Sequence, residues 1–281
     1  MEQSDSPDLY GLVGHPVAHS QSPRIHELFA GQTNQHMDYR AIDVAPGQFG
    51  DQIRLFRETG GLGLNVTLPY KREAYDCADL VSGRARTAGV VNTLVWQADG
   101  SVLGDNTDGA GLIADLTRNL CLELKDARIL VMGAGGGARG ILAPLMAREP
   151  DEVVIVNRDI RKAETVADDF RAILRTQGCG YDDLEGSFDL VINATSASLA
   201  DQVPPLSASV LRPDTLCYDM MYGKGRTAFL RWAGDQGMRR LADGTGMLVE
   251  QAAESFYLWR QVRPDTTTVL EWLRGFLADV S

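Results

Sequence analysis

The chain has 281 residues, more than one hydrophobic core usually supports, so we expect two domains. Its 44% apolar and 23% charged residues are ordinary for a globular protein. Its net charge of −11 argues against a nucleic-acid partner, because phosphate binding requires clustered Lys and Arg. The polar start MEQSDSPD lacks the regions of a signal peptide, and no apolar run reaches membrane-spanning length, so we expect a cytoplasmic protein without membrane contact.

The first 120 residues predict alternating strands and helices. Ser22 is placed as the N-cap of the first helix, with Pro23 at its first helical position, and Asp99-Gly100 marks the turn of a hairpin. In chain order we predict a strand over 9–14, a helix over 22–31, a strand over 61–69, a helix beginning near Lys71, a hairpin over 90–106 and a helix over 108–120.

From residue 128 onward, four apolar stretches each precede a turn and, in most cases, a helix. They lie within ARILVMGAGGG, DEVVIVNRD, FDLVINATS and DTLCYDMMY. Continuous apolar strands that alternate with helices are typical of a parallel sheet covered on both faces. The segment from about 109 to 243 therefore predicts a doubly wound nucleotide-type domain.

A glycine-rich turn follows the first of these strands and opens a helix. Gly133 permits the turn, Gly135 lets main-chain N–H groups reach a pyrophosphate, and the small Ala138 lets the helix pack on the strand. The pattern G-x-G-x-x-A in this context favours dinucleotide binding. The alternative is a tight strand-to-helix turn without a ligand.

The next strand ends in Asn157-Arg158-Asp159, where an NAD-binding protein usually has an acid that holds the ribose. Arg161 and Lys162 then fall in the first helical turn, where the helix dipole disfavours positive charge. A 2′-phosphate would remove that penalty, so the pattern favours NADP; the alternative is a solvated basic surface. We expect Asp159 to cap the helix that begins at Ile160.

Three polar clusters lie outside this domain, at 19–23, at 65–71, and at 91–93 together with 105–109. Each could be purely structural, since Ser, Thr, Asn and Asp also cap helices and bind loop backbone. Together they suit a small polyhydroxylated acid whose carbonyl is reduced, a reaction that requires a cation or proton donor near the oxygen. Lys71 is the obvious candidate, and Asp108 could orient it or share in proton transfer.

Metal and disulfide sites are not expected. His15 and His19 stand four residues apart, but the intervening Pro16 breaks a helical arrangement. The cysteines have no paired spacing, which in a reducing compartment indicates buried apolar residues; they are Cys77, Cys121, Cys179 and Cys217.

With these motifs assembled, the chain closely resembles the bacterial shikimate dehydrogenase family over nearly all of its length. The resemblance rests, in order, on GHPVAHSQSP, NVTLPYK, AGVVNT, GDNTDG, GAGGGARG, VNRD, INATS, YDMMY and DGTGMLVEQAA. It implies the reversible NADPH-dependent reduction of 3-dehydroshikimate to shikimate, in the route to chorismate and the aromatic amino acids.

The family pattern also implies a role for each matching residue. The catalytic pair would be Lys71 and Asp108. The substrate-binding residues would be Ser20, Ser22, Asn65, Thr67, Asn92, Tyr222 and Gln251, with the two serines on the carboxylate and Asn65, Thr67, Asn92 and Asp108 on the ring hydroxyls. The cofactor-binding residues would be Gly133, Gly135, Gly136, Gly137, Asn157, Arg158, Arg161, Thr195, Met220 and Gly244.

The resemblance further implies an α/β protein of two lobes with the active site in the cleft between them. A discontinuous substrate and catalytic domain would comprise 1–108 plus 244–281, and a Rossmann-type NADP-binding domain would comprise 109–243. The enzyme would be a monomer or a homodimer with shikimate or 3-dehydroshikimate as its small-molecule partner.

Two rival functions remain open at this point. Asp159 stands where relatives often have Thr or Ser, which leaves room for a quinate/shikimate dehydrogenase that also uses NAD. A catalytically silent nucleotide-binding paralogue is the other rival, and the presence of both Lys71 and Asp108 argues against it.

Overall fold

A computed structural model describes residues 6–171 and 175–279. The chain folds as two compact units, each continuous in space but assembled from two stretches of sequence. Unit 1 is Met1–Gly111 with Leu248–Leu270, and unit 2 is Leu112–Met247 with Glu271–Ser281.

Unit 1 is built on a mixed six-stranded sheet. Its elements are β1 Asp8–Gly14, α1 Ser22–Gln32, β2 Met37–Asp43, α2 Phe49–Glu58, β3 Gly61–Val66, α3 Lys71–Cys77, β4 Leu80–Val81, α4 Gly83–Ala88, β5 Thr93–Trp96 and β6 Val102–Asp105. The strand order is β2-β1-β3-β5-β6-β4. Strand β1 is parallel to β2 and β3, β4 is parallel to β6, and β5 runs antiparallel to β3 and β6.

The sheet of unit 1 is covered on both faces near β1. Neighbouring residues of a strand point to opposite faces, and Leu12 and Val13 accordingly belong to different buried clusters. Val13 packs with Leu64 and Phe49, whereas Leu12 packs in the cluster of Tyr39. Continuous burial on both faces explains why β1 reads as an uninterrupted apolar run.

The predicted elements of the first 105 residues are confirmed, with two corrections. The N-cap position of α1 is held by Gln21, and Ser22 is the first residue of the helix, so the predicted capping role of Ser22 is wrong. The strand predicted over 61–69 ends at Val66, because the chain turns at Leu68-Pro69 and Pro cannot donate to a strand ladder.

Unit 2 has a six-stranded sheet in which all paired strands are parallel. Its elements are β7 Arg128–Met132, α6 Gly136–Met146, β8 Glu152–Val156, α7 Ile160–Phe170, β9 Thr176–Cys179, β10 Leu190–Asn193, β11 Leu216–Asp219, α8 Ala228–Asp235 and β12 Arg240–Asp243. The order β12-β11-β10-β7-β8-β9 is the doubly wound Rossmann order. The predicted doubly wound parallel sheet is therefore confirmed.

Three further helices complete the chain: α5 Asp108–Ala114, α9 Thr245–Arg260 and α10 Thr266–Asp279. The helix predicted over 108–120 has the expected extent, but its second half, Asp115–Asn119, is a π-helix in which Leu120 N bonds Asp115 O. Among the described residues, no helix is both long and apolar enough to cross a bilayer. That same part of the chain holds no cluster of three or more His, Cys, Asp and Glu suited to a metal ion.

Candidate active site and nucleotide site

The predicted catalytic pair lies in direct contact. Lys71 begins α3 and Asp108 begins α5, and Lys71 Nζ is 2.6 Å from Asp108 Oδ2. The two side chains retain only 15% and 8% of their exposure. A single ion pair is thus held in a partly desolvated pocket, where its electrostatic interaction is stronger than in water.

Strand register explains why residues far apart in sequence meet here. Asn65 at the end of β3 pairs with Thr93 at the start of β5, and Thr93 pairs with Asp105 at the end of β6. Because β5 is antiparallel to both neighbours, these three ends lie at one edge of the sheet. Asn92 and Asp108 lie just beyond this row.

Asn92 links the ion pair to the sheet. Its Oδ1 accepts hydrogen bonds from Thr107 N at 2.8 Å and Thr93 Oγ1 at 2.9 Å, which fixes the orientation of the amide. Its Nδ2 therefore points to Asp108 Oδ1, at 2.8 Å. One oxygen of Asp108 is held by Asn92 and the other by Lys71.

Asn65 is buried with both ends of its amide engaged. Tyr39 OH donates to Oδ1 at 2.8 Å, and Nδ2 donates to Thr93 Oγ1 at 3.1 Å and to Asn92 O at 3.3 Å. The side chain is thus fixed in one orientation within unit 1.

The remaining predicted substrate residues of unit 1 lie in three places. Ser20 and Ser22 are neighbours at the start of α1, with their hydroxyl oxygens 3.2 Å apart. Thr67 follows β3, and its backbone N–H donates to Val13 O of the adjacent strand β1. Gln251 of α9 brings its Oε1 to 3.4 Å from Thr107 Oγ1.

Gln251 reaches this position because α9 passes very close to α5. A Cβ on Gly111 would lie 2.6 Å from Gln251 Cβ, so this approach requires glycine. Tyr222, in contrast, belongs to unit 2, where it follows β11. Unit 1 therefore contains every predicted catalytic and substrate residue except Tyr222.

Three residues of this network were missed by sequence reasoning: Tyr39, Thr93 and Thr107. Thr93 and Thr107 are fully buried and could have been found, since both lie inside the polar motifs already singled out. Tyr39 lies in β2, and no local pattern indicates that its hydroxyl holds Asn65.

In unit 2, the glycine-rich turn after β7 has the predicted shape. Gly133 has φ +109°, and a Cβ there would lie 3.2 Å from Ala194 O, so the turn requires glycine. Gly135 is exposed, and a Cβ there would meet open space. Gly136 and Gly137 open α6, so backbone N–H groups of a helix N-terminus face this turn.

Other predicted cofactor residues follow the carboxyl ends of the neighbouring strands, the edge at which Rossmann sheets bind nucleotides. Thr195, after β10, donates from its hydroxyl to Asn193 Oδ1 at 2.7 Å. Met220, after β11, is held by Asn193 O, and Gly244 follows β12. A Cβ on Gly244 would lie 2.2 Å from Met220 O, so this residue must be glycine.

The basic residues predicted to read a 2′-phosphate are exposed after β8. Asn157 and Arg158 line a cavity of about 270 Å³ together with Tyr181 and Pro205. Burial raises the pKa of Tyr181 to about 12, although the Arg158 guanidinium opposes the shift. Arg161 lies in the first turn of α7 and is exposed.

The predicted capping role of Asp159 is wrong. Asp159 occupies the N-cap position of α7, but its carboxylate makes no capping hydrogen bond to any residue that the structure describes. The Asn157 side chain instead donates to the Asp159 carbonyl at 3.0 Å. The Asp159 carboxylate remains exposed next to Arg158 in the sequence.

Family models match three segments of the chain. Residues 12–94 match the shikimate dehydrogenase substrate binding domain, 115–200 the shikimate / quinate 5-dehydrogenase domain and 244–274 the shikimate 5′-dehydrogenase C-terminal domain. The chain belongs to the shikimate dehydrogenase family. The motifs that carried the resemblance in the sequence fall mainly within these matched segments.

Known proteins resemble the chain over almost its whole length. The shikimate dehydrogenase (NADP(+)) of Methylococcus capsulatus is 53% identical, over 96% of this chain and 97% of the relative. The crystal structure of an Ael1 enzyme from Pseudomonas putida is 47% identical with a TM-score of 0.88, covering 95% and 98% of the two chains. The shikimate 5-dehydrogenase of Thermus thermophilus, in complex with NADP(H) and shikimate, is 30% identical with a TM-score of 0.84, covering 95% and 99%.

Proposed function

We propose that this chain is an NADP-dependent shikimate dehydrogenase, an oxidoreductase that acts on a CH–OH group. It interconverts 3-dehydroshikimate and shikimate in the biosynthesis of chorismate and the aromatic amino acids. The observation that carries the proposal is the Lys71 and Asp108 pair, 2.6 Å apart in a network of hydroxyls and amides. The names of its high-identity relatives support the same activity.

The proposed proton transfer depends on the Lys71 and Asp108 pair. NADPH, when bound, supplies the hydride. The substrate oxygen must then gain a proton, and the Lys71 and Asp108 pair holds an exchangeable proton between Nζ and Oδ2. Asn92 keeps Asp108 in place by donating to its second oxygen, so the proton stays directed at one position.

The rest of unit 1 would bind the substrate. In this proposal the adjacent Ser20 and Ser22 hydroxyls hold the carboxylate, and Asn65, Thr67 and Asn92 hold ring hydroxyls. Gln251 would also contact the substrate, and Tyr222 is the one residue of unit 2 that the proposal assigns to substrate binding. The proposed functional division assigns 1–108 plus 244–281 to substrate and catalysis and 109–243 to NADP.

The residues of unit 2 fit NADP. The Gly133 to Gly137 turn offers backbone N–H groups, and the open space beside Gly135 leaves room for a pyrophosphate. Arg158 and Arg161 would bind the 2′-phosphate, with Asn157 near the ribose or adenine. Thr195, Met220 and Gly244 would lie on the nicotinamide side.

The proposal extends to location and assembly. The four cysteines are free thiols, as a reducing compartment permits, and we place the enzyme in the cytoplasm. Cys179 and Cys217 are buried as predicted, whereas Cys77 and Cys121 are exposed, so the prediction of burial is wrong for these two. We expect a monomer or a homodimer, which light scattering during size-exclusion chromatography would distinguish.

Steady-state oxidation of shikimate and of quinate, each with NADP and with NAD, tests the function. Quinate carries an extra hydroxyl beside its carboxylate, and mispaired polar groups cost about 1–3 kcal/mol, so we expect shikimate to be preferred about tenfold or more. We also expect NADP to be preferred over NAD. Comparable kcat/KM for the two acids would indicate a quinate/shikimate dehydrogenase instead, and turnover of neither acid would indicate a silent paralogue.

A further inference from the structure

Asp219, the last residue of β11, is a fully buried carboxylate with no role in the proposed chemistry. Its Oδ2 accepts hydrogen bonds from Thr227 Oγ1 at 2.6 Å and Ser198 Oγ at 2.7 Å, and its Oδ1 accepts from Met221 N at 3.0 Å. Burial raises the pKa of Asp219, and the hydrogen bonds from Thr227 and Ser198 oppose that shift. One carboxylate thus serves three donors.

The three donors come from three different segments of unit 2. Ser198 lies in the short helical turn after β10, Met221 lies in the turn after β11, and Thr227 is the N-cap of α8. Ser198 also accepts from Asn193 Nδ2 at 3.2 Å, and Asn193 Oδ1 accepts from Thr195. The network of Asp219 therefore joins the loops that carry Thr195, Met220 and Tyr222.

The turn after β11 is fixed from several sides. Met220 N donates to Asn193 O at 2.9 Å, and Gly244 N donates to Met221 O at 3.1 Å. The close approach of Gly244 to the Met220 carbonyl leaves the turn little freedom. The bond from Met221 N to Asp219 Oδ1 is one of these contacts, and it holds the residue that lies between Met220 and Tyr222.

Stability alone does not account for Asp219. A buried carboxylate loses its hydration, and the hydrogen bonds that it accepts must first offset that cost before they add stability. A carboxylate differs in that it accepts hydrogen bonds from several directions at once and thereby orders separate loops. Asp219 directly precedes Met220, so the turn after β11 is among the loops that it orders.

We propose that Asp219 is a positioning residue for the proposed reaction, which sets Met220 and Tyr222 by tying their turn to Ser198 and Thr227. The inference rests on the proposed function, because only that function gives Met220 and Tyr222 a task at the nicotinamide and the substrate. It predicts that loss of Asp219 impairs the nicotinamide end of the cofactor site and leaves the adenosine end unchanged.

The test compares Asp219→Asn and Thr227→Val with wild type and with the conservative Thr227→Ser. Asparagine keeps the size of Asp219, but its NH₂ group must face either the two hydroxyls or Met221 N, all of which now donate to the carboxylate. We expect Asp219→Asn to lower kcat with shikimate and NADP by about tenfold or more, and Thr227→Val to lower it by a smaller factor. Thr227→Ser keeps the hydroxyl and should stay within about threefold of wild type.

Binding of 2′,5′-ADP, which carries only the adenosine half of NADP, distinguishes a local effect on the turn of Met220 and Tyr222 from a general disruption of the nucleotide site. We expect its Kd to change less than about twofold in Asp219→Asn, while the Kd of NADPH rises about threefold or more. Equal weakening of both ligands, or wild-type kcat in Asp219→Asn and Thr227→Val, would overturn the inference. Absence of shikimate turnover in the wild type would overturn the proposed function instead, and the ratio of the two Kd values would still decide the role of Asp219. Should Asp219→Asn fail to fold, Thr227→Val against Thr227→Ser gives the same comparison.

Discussion

Lys71 shows at the scale of one residue how a local motif acquires a function. Its ammonium group is largely removed from water and faces the Asp108 carboxylate. Ion pairs that are withdrawn from water contribute little net stability, because desolvation offsets their attraction. The pair is therefore better explained by proton transfer than by folding.

Lys71→Ala should lower kcat for shikimate oxidation by about a hundredfold or more with little change in KM, the effect expected for a positioned acid–base group. Steady-state kinetics with purified variants measures both constants. Lys125→Ala is the matched control, because Lys125 is exposed and pairs only with the exposed Glu149 among the described residues. Retention of more than about a third of wild-type kcat would remove Lys71 from the mechanism.

Arg158→Ala should weaken NADP binding by about ten- to a hundredfold and leave NAD binding nearly unchanged, because a charge-assisted bond to a phosphate contributes about 1.5–3 kcal/mol. Titration of each cofactor measures the two Kd values. Arg148→Ala, which removes another exposed arginine of unit 2, is the control. Equal weakening of NADP and NAD would show that Arg158 does not read the 2′-phosphate.

At the scale of elements, two glycines of unit 2 have opposite surroundings. A Cβ on Gly178 of β9 would lie 2.4 Å from the backbone of Ala163 in α7, so glycine allows the helix to lie against the strand. A Cβ on Gly135 would meet open space, and the backbone there has φ −89°. The first glycine serves packing, and the second is available to a ligand.

Gly178→Ala should therefore destabilise the protein by about 1–3 kcal/mol or more through overpacking, whereas Gly135→Ala should change stability by less than about 1 kcal/mol. Thermal unfolding followed by circular dichroism compares the two variants. Gly135→Ala should instead weaken NADP binding, since its methyl group occupies the approach to the pyrophosphate. An unfolding temperature lowered equally by both substitutions would contradict this division.

At the scale of the whole molecule, His26 should make the protein less stable as the pH decreases. This residue is fully buried in α1, stacks on Tyr39 at 4.1 Å, and has no hydrogen-bond partner for either ring nitrogen within the described chain. Burial lowers the pKa of His26 to about 3, an effect that the nearby Asn65 amide only partly opposes. The native state therefore keeps His26 neutral at pH values where the unfolded chain, with a pKa near 6.5, binds a proton.

Proton uptake on unfolding means that stability falls as pH drops below about 6.5, and His26→Phe should remove this part of the dependence. Between pH 7 and pH 5 the free energy of unfolding of wild type should fall by about 2 kcal/mol more than that of His26→Phe. Urea unfolding at several pH values measures the difference. His36→Gln, at an exposed histidine, should behave as wild type, and parallel pH profiles for wild type and His26→Phe would contradict the assignment.

Local sequence alone determined the order of elements and the chemistry available to the protein. Continuous apolar strands followed by turns gave the doubly wound sheet of unit 2, since burial on both faces removes alternation from a strand. The glycine pattern after β7 and the Lys71 and Asp108 motifs were likewise readable, because backbone conformation and side-chain chemistry are properties of the residues themselves.

The predictions that local sequence gave for the two helix caps are wrong. Ser22 and Asp159 are favoured N-cap residues, yet Ser22 lies one position inside α1 and the Asp159 carboxylate does not turn back to α7. Capping depends on which of several neighbouring donors and acceptors are satisfied elsewhere, and the Lys162 N–H in the first turn of α7 donates to the Asp159 carbonyl at 3.1 Å rather than to its carboxylate. The N-cap propensity of Ser and Asp is only a preference, and competing hydrogen bonds can override it.

Only the tertiary structure decided which side chains hold one another. Tyr39 reaches Asn65, Thr107 orients Asn92, and Asp219 gathers donors from three loops, although these partners are separated in sequence by 26, 15 and up to 21 residues. Strand register and the close approach of helices set such contacts, and both arise from packing of the whole sheet. The sequence thus supplied the reacting groups, whereas the fold fixed their orientation, because orientation depends on contacts between residues that no local pattern links.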